Sequence, residues 1–201
     1  DPPGDTPPVE DTGEATVPGE GSVVKKCESG ILGENGLLEM TWKMEVKVPS
    51  TGLPSGTTIT DTLKDGQWMT FQQIQEWGSM IGAKDESGNY ATGVNYWWPA
   101  GETYTIKFTA TDGTEVSYAD IVSGGNDSQN KKYTGFTITF SKALSAETYG
   151  GKTLWIQYKS YADVSSVADT QKYNNTISIK PPDGTSKEST ASYDYRKAGV
   201  Y

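Results

Sequence analysis

The chain contains no histidine, so any chemistry has to come from its lysines, carboxylic acids, amides and hydroxyl groups. Without imidazole there is no Ser-His-Asp or Cys-His arrangement, no base that titrates near neutrality and no histidine metal site. Many hydrolases are thereby excluded. Paired carboxylates cleave glycosidic bonds without histidine, and the 26 Asp and Glu residues leave that class open by composition. The default interpretation of each acid is still a surface charge.

Aromatic side chains are the second group with binding potential, because the chain has six Trp and twelve Tyr residues. Trp42 and Trp155 lie in alternating segments and are predicted to be core residues. Trp97 and Trp98 are adjacent, so in a strand one of the two rings has to face outward. An exposed ring can stack on a sugar or a protein. Trp97 and Trp98 are therefore the ligand-binding candidates, although core filling is the commoner use of aromatic residues.

Charge and cysteine content exclude further classes. The formal net charge of −9 repels phosphate backbones, and no basic stripe offsets it, so we predict no nucleic-acid binding. Cys27 is the single cysteine; it cannot form an intrachain disulfide and is interpreted as a small buried apolar residue. No apolar run reaches membrane-spanning length, so we predict no membrane insertion of this chain. The polar Asp1 start indicates a mature or excised fragment.

Composition divides the chain into three parts. Residues 1–22 are rich in Pro, Gly, Thr and acids and almost lack large apolar residues, which is typical of a disordered linker or tail. Residues 23–196 carry the apolar periodicity of a folded domain. Residues 197–201 are not a sorting signal, and we interpret them as the lead-in to a following domain, which would make the chain one unit of a longer protein.

The folded part has the period-two alternation of strands with one wet face. The inward set is clearest in four segments, namely Trp42, Met44, Val46 and Val48; Tyr104, Ile106 and Phe108; Phe136, Ile138 and Phe140; and Leu154, Ile156 and Tyr158. Turn signals such as Asp65-Gly66 separate the segments. Many short strands with polar turns predict an all-β sandwich. One short helix is predicted near residues 69–81 from apolar residues at three- and four-residue spacing.

Three segments carry a more specific pattern: VVKKC at 23–27, TITDTL at 58–63 and YNNTISI at 173–179. A lysine on the first strand, an Asp in a strand that follows a Trp-containing strand, and an Asn in a late Y-x-N-x-x-x-I strand resemble the collagen-binding-type, Ig-like domains of Gram-positive adhesins and pilins. The resemblance covers most of residues 23–195. It implies an Ig-like β-sandwich of the adhesin variant.

The resemblance also implies a spontaneous intramolecular isopeptide bond, because the Lys, Asp and Asn at these positions form one in that family. By position, Asp61 is the acid and Asn175 is the amide partner. The lysine stays open between two neighbours. Alternation places Lys25 on the more apolar face of the first strand and Lys26 on the other face, which favours Lys25 and keeps Lys26 as the alternative.

Such a triad has a simple physical logic. A buried ammonium loses its proton because desolvation disfavours the charged form, and the resulting amine is a nucleophile. A buried Asp61 stays protonated for the same reason, and it can donate to the Asn175 carbonyl while the amide nitrogen leaves as ammonia. No cofactor is needed. A crosslink between the first strand and a late strand closes nearly the whole domain, which the chain-entropy treatment values at about 5 kcal/mol.

The function implied by the resemblance is structural or adhesive: a domain of an extracellular, cell-wall-attached surface protein or pilus, with no enzymatic activity beyond its own crosslinking. Its partners would be a host extracellular-matrix protein or a glycan, and neighbouring domains of the same protein. The first alternative is a carbohydrate-binding module that uses exposed aromatic rings. The second is a glycoside hydrolase, which needs two cleft carboxylates at catalytic spacing.

Overall fold

The alternating segments form two antiparallel sheets in the computed structural model, which describes residues 15–17, 21–75, 81–84 and 103–199. In chain order the strands are β1 (Ala15–Val17), β2 (Gly21–Leu32), β3 (Leu37–Lys47), β4 (Thr58–Leu63), β5 (Ile81–Lys84), β6 (Tyr104–Ala110), β7 (Glu115–Ser117), β8 (Tyr133–Phe140), β9 (Thr153–Asp163), β10 (Thr170–Lys180) and β11 (Lys187–Arg196). The first sheet has the order β1-β2-β3-β9-β5, and the second has the order β11-β10-β4-β8-β6-β7. The chain is therefore an all-β sandwich, as predicted.

The core lies between the two sheets and is built from the inward residues of each strand. Every second residue of β3 from Leu38 to Val46 is fully buried, and the same pattern recurs along β9 from Leu154 to Tyr158. Trp42 is buried as predicted. The prediction for Trp155 is wrong, because this residue is half-buried on the outer face of β9. The alternation that directs its neighbours Leu154 and Ile156 inward directs Trp155 outward.

In the residues that the structure describes, the helical elements are short: α1 (Phe71–Gln75), α2 (Tyr118–Ser123), α3 (Ala146–Tyr149) and a 3-10 turn (Ser128–Asn130). The predicted helix near residues 69–81 corresponds to α1, which covers residues 71–75 of that range in the described part of the chain. Ile81 belongs instead to β5, where it pairs with Ile156 of β9. An apolar residue at helical spacing fits a strand equally well, and here pairing with β9 decides between the two.

Two strands include residues that precede residue 23. β1 lies within the segment predicted as a linker and pairs with the start of β2, which begins at Gly21. At the other end β11 ends at Arg196. The candidates Trp97 and Trp98 lie outside the described residues. In the ranges that the structure describes, no helix is long and apolar enough to cross a membrane.

Two contacts join the outer edge of β2 to β11 of the opposite sheet. The backbone N–H of Lys25 donates a buried hydrogen bond of 3.1 Å to the Ser189 hydroxyl. Further along β2, Gly30 lies against the ring of Tyr193, and a Cβ at Gly30 would lie 2.3 Å from the Cζ atom of that ring. Because no side chain fits there, glycine lets the two sheets approach. These contacts hold β2 beside the strands that carry the candidate site.

Candidate functional site

The sandwich brings together the three side chains that the resemblance connects with crosslinking. Lys25 lies on β2 of the first sheet, whereas Asp61 on β4 and Asn175 on β10 lie on the second. β4 and β10 are antiparallel neighbours in which Asp61 pairs with Ile177. Asn175 and Ile177 are alternate residues of β10, so Asn175 shares the inner face with Asp61. All three side chains are buried, with 0 to 1% of each residue exposed.

Lys25 and Asp61 form an ion pair across the interior. The Nζ atom of Lys25 contacts Oδ2 of Asp61, and neither side chain is accessible to solvent. The Nζ atom also lies 3.9 Å from the Met44 sulfur. Lys26 points to the other face of β2 and is only half-buried. Of the two lysines that the sequence left open, the structure therefore places Lys25 beside Asp61.

Burial shifts the proton affinities of this pair in opposite directions. Desolvation lowers the pKa of Lys25 to about 8, although the neighbouring Asp61 carboxylate acts in the opposite sense. Desolvation likewise raises the pKa of Asp61, against the influence of Lys25 and of a hydrogen bond from Tyr158. Both shifts favour the neutral forms, because a charge loses its hydration in the interior. A neutral amine beside a carboxylic acid is the state in which lysine is nucleophilic.

Tyr158 lies at the centre of the site, although the alternation of β9 predicts only a core position for it. Its hydroxyl donates to Oδ1 of Asp61 at 2.6 Å and accepts from Nδ2 of Asn175 at 2.5 Å. The Nζ atom of Lys25 lies 3.3 Å from the same oxygen. The only sequence signal was its inward position on β9, which every buried aromatic residue shares. The hydrogen bonds of its hydroxyl depend on partners from three other strands.

The amide of Asn175 is held at one end and left unpaired at the other. Nδ2 donates to Tyr158, whereas Oδ1 is buried and has no hydrogen-bond partner among the described residues. A buried carbonyl without a donor costs about 1 to 3 kcal/mol, and buried polar groups in native proteins are nearly always paired. This amide is therefore not a structural asparagine that is satisfied by its surroundings.

The turn after β4 positions β10 at the residue preceding Asn175. Asp65 and Gly66 both have positive φ angles, 64° and 81°, and the Asp65 carboxylate accepts hydrogen bonds from the backbone and side-chain nitrogens of Asn174. The Gln67 side chain donates to the Asn174 carbonyl at 2.9 Å. Asp-Gly suits this turn because both residues tolerate positive φ. The turn predicted from the sequence thus also anchors the strand that carries the amide.

Two consecutive buried side-chain hydrogen bonds support the same turn. The indole nitrogen of Trp42 donates to the Ser160 hydroxyl at 2.8 Å, and this hydroxyl donates to Oε1 of Gln67 at 2.7 Å. Ser160 and Gln67 are both buried. These hydrogen bonds link β3 and β9 of the first sheet to the turn of the second sheet, next to the site. Nothing in the local sequence of Gln67 or Ser160 indicated this role.

The remaining candidate groups take no part in the site. Cys27 is buried as an apolar residue would be, and burial raises the pKa of its thiol to about 12. A thiol that holds its proton so firmly is a poor nucleophile at neutral pH. Across the described ranges, no group of three or more Cys, Asp or Glu side chains is arranged to hold a metal ion.

Comparison with known proteins gives structural similarities at low sequence identity. No protein-family model matches the chain, and no curated protein sequence matches it. The chain is similar to the major pilin subunit of Bacillus cereus, with 12% identity and a TM-score of 0.46, over 89% of this chain and 40% of that one. It is also similar to the N-terminal domain of a Streptococcus gordonii adhesin, with 15% identity and a TM-score of 0.42, over 78% of this chain and 28% of that one.

The collagen adhesin of Staphylococcus aureus is a third similar structure, with 13% identity and a TM-score of 0.38, over 85% of this chain and 48% of that one. The chain therefore spans less than half the length of each of these adhesins and pilins. At such identities and TM-scores, shared ancestry and shared activity do not follow from the overlap. The functional assignment rests on the geometry around Lys25, Asp61 and Asn175.

Proposed function

We propose that this chain is a structural or adhesive domain of a Gram-positive bacterial surface protein or pilus, locked by an isopeptide bond between Lys25 and Asn175. One observation carries the proposal: a lysine, an acid and an amide from two different sheets are buried together around one hydroxyl group. Asp61 is the acid of the reaction. The domain acts on no other molecule, and the reaction occurs once in each chain.

The energetics of the ion pair favour a chemical role over a purely structural one. Removing two charges from water costs several kcal/mol for each ion, and well-packed apolar residues in their place are often at least as stabilising. A buried Lys25–Asp61 pair is therefore weakly explained by stability alone. The unpaired Oδ1 atom of Asn175 adds a further cost. A reaction among the three groups would explain why the fold retains both unfavourable features.

The proposed reaction is an acyl transfer within the chain. The neutral Nζ of Lys25 attacks Cγ of Asn175, the Cγ–Nδ2 bond breaks, and ammonia leaves. An amine and a primary amide become a secondary amide, so no oxidant, metal or cofactor is required. The protein supplies proximity, since the three groups are fixed by folding, and a low-dielectric site that lowers the pKa of the lysine and so raises the fraction of the neutral amine.

A bond at this position would connect the two sheets covalently. β2 and β10 lie in different sheets and near opposite ends of the chain, so the bond would close almost the entire domain. In the chain-entropy treatment, a loop of this length is worth about 5 kcal/mol of stability. Such a lock suits a domain outside the cell that has a single cysteine and no intrachain disulfide to rely on.

Intact mass under denaturing conditions tests the crosslink directly. We expect the wild-type chain to be lighter than its calculated mass by one ammonia, and Asn175→Ala and Asp61→Ala to have their full calculated masses. Peptide mapping should recover a branched peptide that joins the segment containing Lys25 to the segment containing Asn175. This mapping separates a crosslink from the cyclisation of an asparagine, which releases the same mass.

A matched control is Asn130→Ala, because Asn130 is an exposed asparagine outside the site. This variant should lose one ammonia as the wild type does. A wild-type chain at its full calculated mass, with Lys25 and Asn175 in separate peptides, would rule out the crosslink.

The adhesive part of the proposal is supported by the resemblance of the three segments to collagen-binding-type domains. The corresponding partner class is an extracellular-matrix protein, and immobilised collagen is the first probe, with binding measured for the chain and for Asn175→Ala. No collagen binding would leave a structural role in a stalk or pilus. The carbohydrate-binding alternative depends on Trp97 and Trp98, and no contact of the described residues favours it.

A further inference from the structure

We infer that Tyr158 is a fourth catalytic residue of the crosslinking reaction, in which its hydroxyl transfers a proton to the departing nitrogen of Asn175. The inference rests on the proposed function and names the group that completes it. The sequence pattern indicates a lysine, an acid and an amide. The structure adds a hydroxyl that contacts all three.

The hydrogen-bonding capacity of the phenol is fully used within the site. A tyrosine hydroxyl has one proton to donate and two lone pairs to accept with. The proton goes to Oδ1 of Asp61, and the lone pairs face Nδ2 of Asn175 and Nζ of Lys25. A hydroxyl that only filled the core would need one partner. This one touches the attacking nitrogen, the leaving nitrogen and the acid between them.

This arrangement assigns separate tasks to the two carboxyl oxygens of Asp61. Oδ2 contacts the Nζ atom of Lys25, whereas Oδ1 receives the hydrogen bond of Tyr158. Oδ2 is therefore the oxygen that takes a proton from the lysine. The group in hydrogen-bond contact with Nδ2 of Asn175 is the phenol and not the carboxyl group. The acid reaches the leaving group through Tyr158.

The proton transfers balance over the reaction. Asp61 starts as the neutral acid and gives its proton to the Asn175 carbonyl oxygen as the Nζ–Cγ bond forms. The attacking nitrogen then gives one proton to Oδ2 of the resulting carboxylate. The Cγ–Nδ2 bond breaks as Nδ2 takes the hydroxyl proton of Tyr158, and ammonia leaves. The neutral carboxyl group of Asp61 then returns a proton to the phenolate, a favourable transfer because a carboxylic acid is the stronger acid. Asp61 recovers a proton from the former carbonyl oxygen as the C=O bond re-forms. Tyr158 and Asp61 end in their starting states.

The surroundings of the ring keep the hydroxyl in place and protonated. Tyr158 is buried, and its ring packs edge-on against Phe136 with the ring centroids 6.2 Å apart. The Nζ atom of Lys25 lies 5.2 Å from the ring centroid. Burial raises the pKa of Tyr158 well above its ordinary value, so the phenol holds its proton until a strong acceptor forms beside it. The nitrogen of the tetrahedral intermediate is such an acceptor, whereas a planar amide nitrogen is not.

The test is the rate of crosslinking in newly made chains. The full chain is synthesised in a cell-free system with a short isotope pulse, samples are quenched in acidic denaturant, and the fraction lighter by one ammonia is followed by intact mass. In Tyr158→Phe the ring and its packing remain and only the hydroxyl is lost. We expect at least about a 100-fold slower reaction, the range in which general acids contribute.

Tyr133→Phe is the matched control, because it removes another buried hydroxyl, which donates to the Ser128 carbonyl at 2.7 Å and does not touch the site. This variant should crosslink at the wild-type rate. If Tyr158→Phe also crosslinks within about twofold of the wild-type rate, the role of Tyr158 is overturned while the crosslink stands. If the wild type itself does not crosslink, the proposed function fails first.

A second variant keeps the test decisive if Tyr158→Phe folds poorly. Incorporation of 3,5-difluorotyrosine at position 158 preserves the hydroxyl and its contacts but makes the phenol more acidic. Because an ionised phenol has no proton to donate, the fall of the crosslinking rate at alkaline pH should begin at lower pH than in the wild type. A purely structural hydroxyl would leave the pH profile unchanged, and that result would contradict the inference.

Discussion

The amine of Lys25 and the amide nitrogen of Asn175 lie on facing sheets, and both reach the same phenol oxygen, at 3.3 Å and 2.5 Å. Their strands are not neighbours in either sheet. The meeting therefore depends on the packing of the sandwich as a whole, and the two groups are apart in the unfolded chain. Crosslinking should accordingly follow folding and report on it.

Replacement of either lysine of the first strand distinguishes their roles. Lys25→Met should have its full calculated mass and lose about 5 kcal/mol of unfolding free energy in urea, because the closed loop is opened. Asn175→Ala removes the other end of the same bond and should lose a similar amount. Lys26→Met should keep both the missing ammonia and the wild-type stability, since Lys26 lies on the other face of β2. Crosslinking that depended on Lys26 would contradict the assignment.

The uncrosslinked domain should become more stable as the pH rises from about 8 to about 10. In Asn175→Ala, Lys25 keeps a folded-state pKa near 8 against 10.5 for the ordinary side chain. In this window the unfolded chain binds more protons than the folded chain, so the unfolding free energy increases with pH and is lost as the pH falls through 8. Urea unfolding of Asn175→Ala at a series of pH values measures this slope.

The control for the pH series is the double variant Lys25→Met/Asn175→Ala. The Cys27 thiol, whose pKa burial raises from 9.0 to about 12, contributes in the opposite sense above about pH 9. Both chains contain Cys27 and the buried tyrosines, so the difference between them isolates Lys25. Equal slopes in the two chains would show that Lys25 is not held at a lowered pKa.

Gly135 of β8 should be intolerant of a side chain, with consequences for the site. A Cβ at this position would lie 2.3 Å from the backbone oxygen of Asp61. Gly135→Ala therefore has to displace β8 from β4, and overpacking of this kind costs about 1 to 3 kcal/mol. We expect a lower urea midpoint and slower crosslinking in the cell-free assay.

Gly113→Ala is a useful comparison, because its Cβ meets nothing within 4 Å but its φ of 88° is also unfavourable for alanine. Gly113→Ala should destabilise the domain without slowing the crosslink.

The side chain of Gln67 should contribute more to the free energy of unfolding than an ordinary polar side chain. Its side chain bonds the carbonyls of Lys64 and Asn174 and accepts from Ser160, all at 2.7 to 2.9 Å. Gln67→Ala leaves buried partners unpaired, which costs about 1 to 3 kcal/mol for each group that stays dry. Thermal unfolding of the Asn175→Ala background measures this loss without the crosslink. A loss of unfolding free energy below about 0.5 kcal/mol, the range of surface substitutions, would contradict the role of these buried hydrogen bonds.

Much of the site was accessible from the sequence because a strand exposes alternate residues to the same side. That rule placed Lys25 on the apolar face of the first strand and Lys26 on the other. It also placed Tyr158 correctly, but only as a core residue. Trp155 shows the limit of an interpretation from residue type, because its position in the alternation pointed outward while its size suggested the core. Periodicity was the better guide at this position.

The sequence by itself determined the two-sided strands, the Asp65-Gly66 turn and the three segments that resemble a crosslinking domain, because each depends on residues close together in the chain. Only the tertiary structure decided which side chains meet. The contacts of Tyr158 with Lys25, Asp61 and Asn175 join four strands from two sheets. A hydrogen bond depends on distances and angles that local sequence does not encode when its partners are far apart along the chain. The hydroxyl at the centre of the site became visible only when the two sheets were packed face to face.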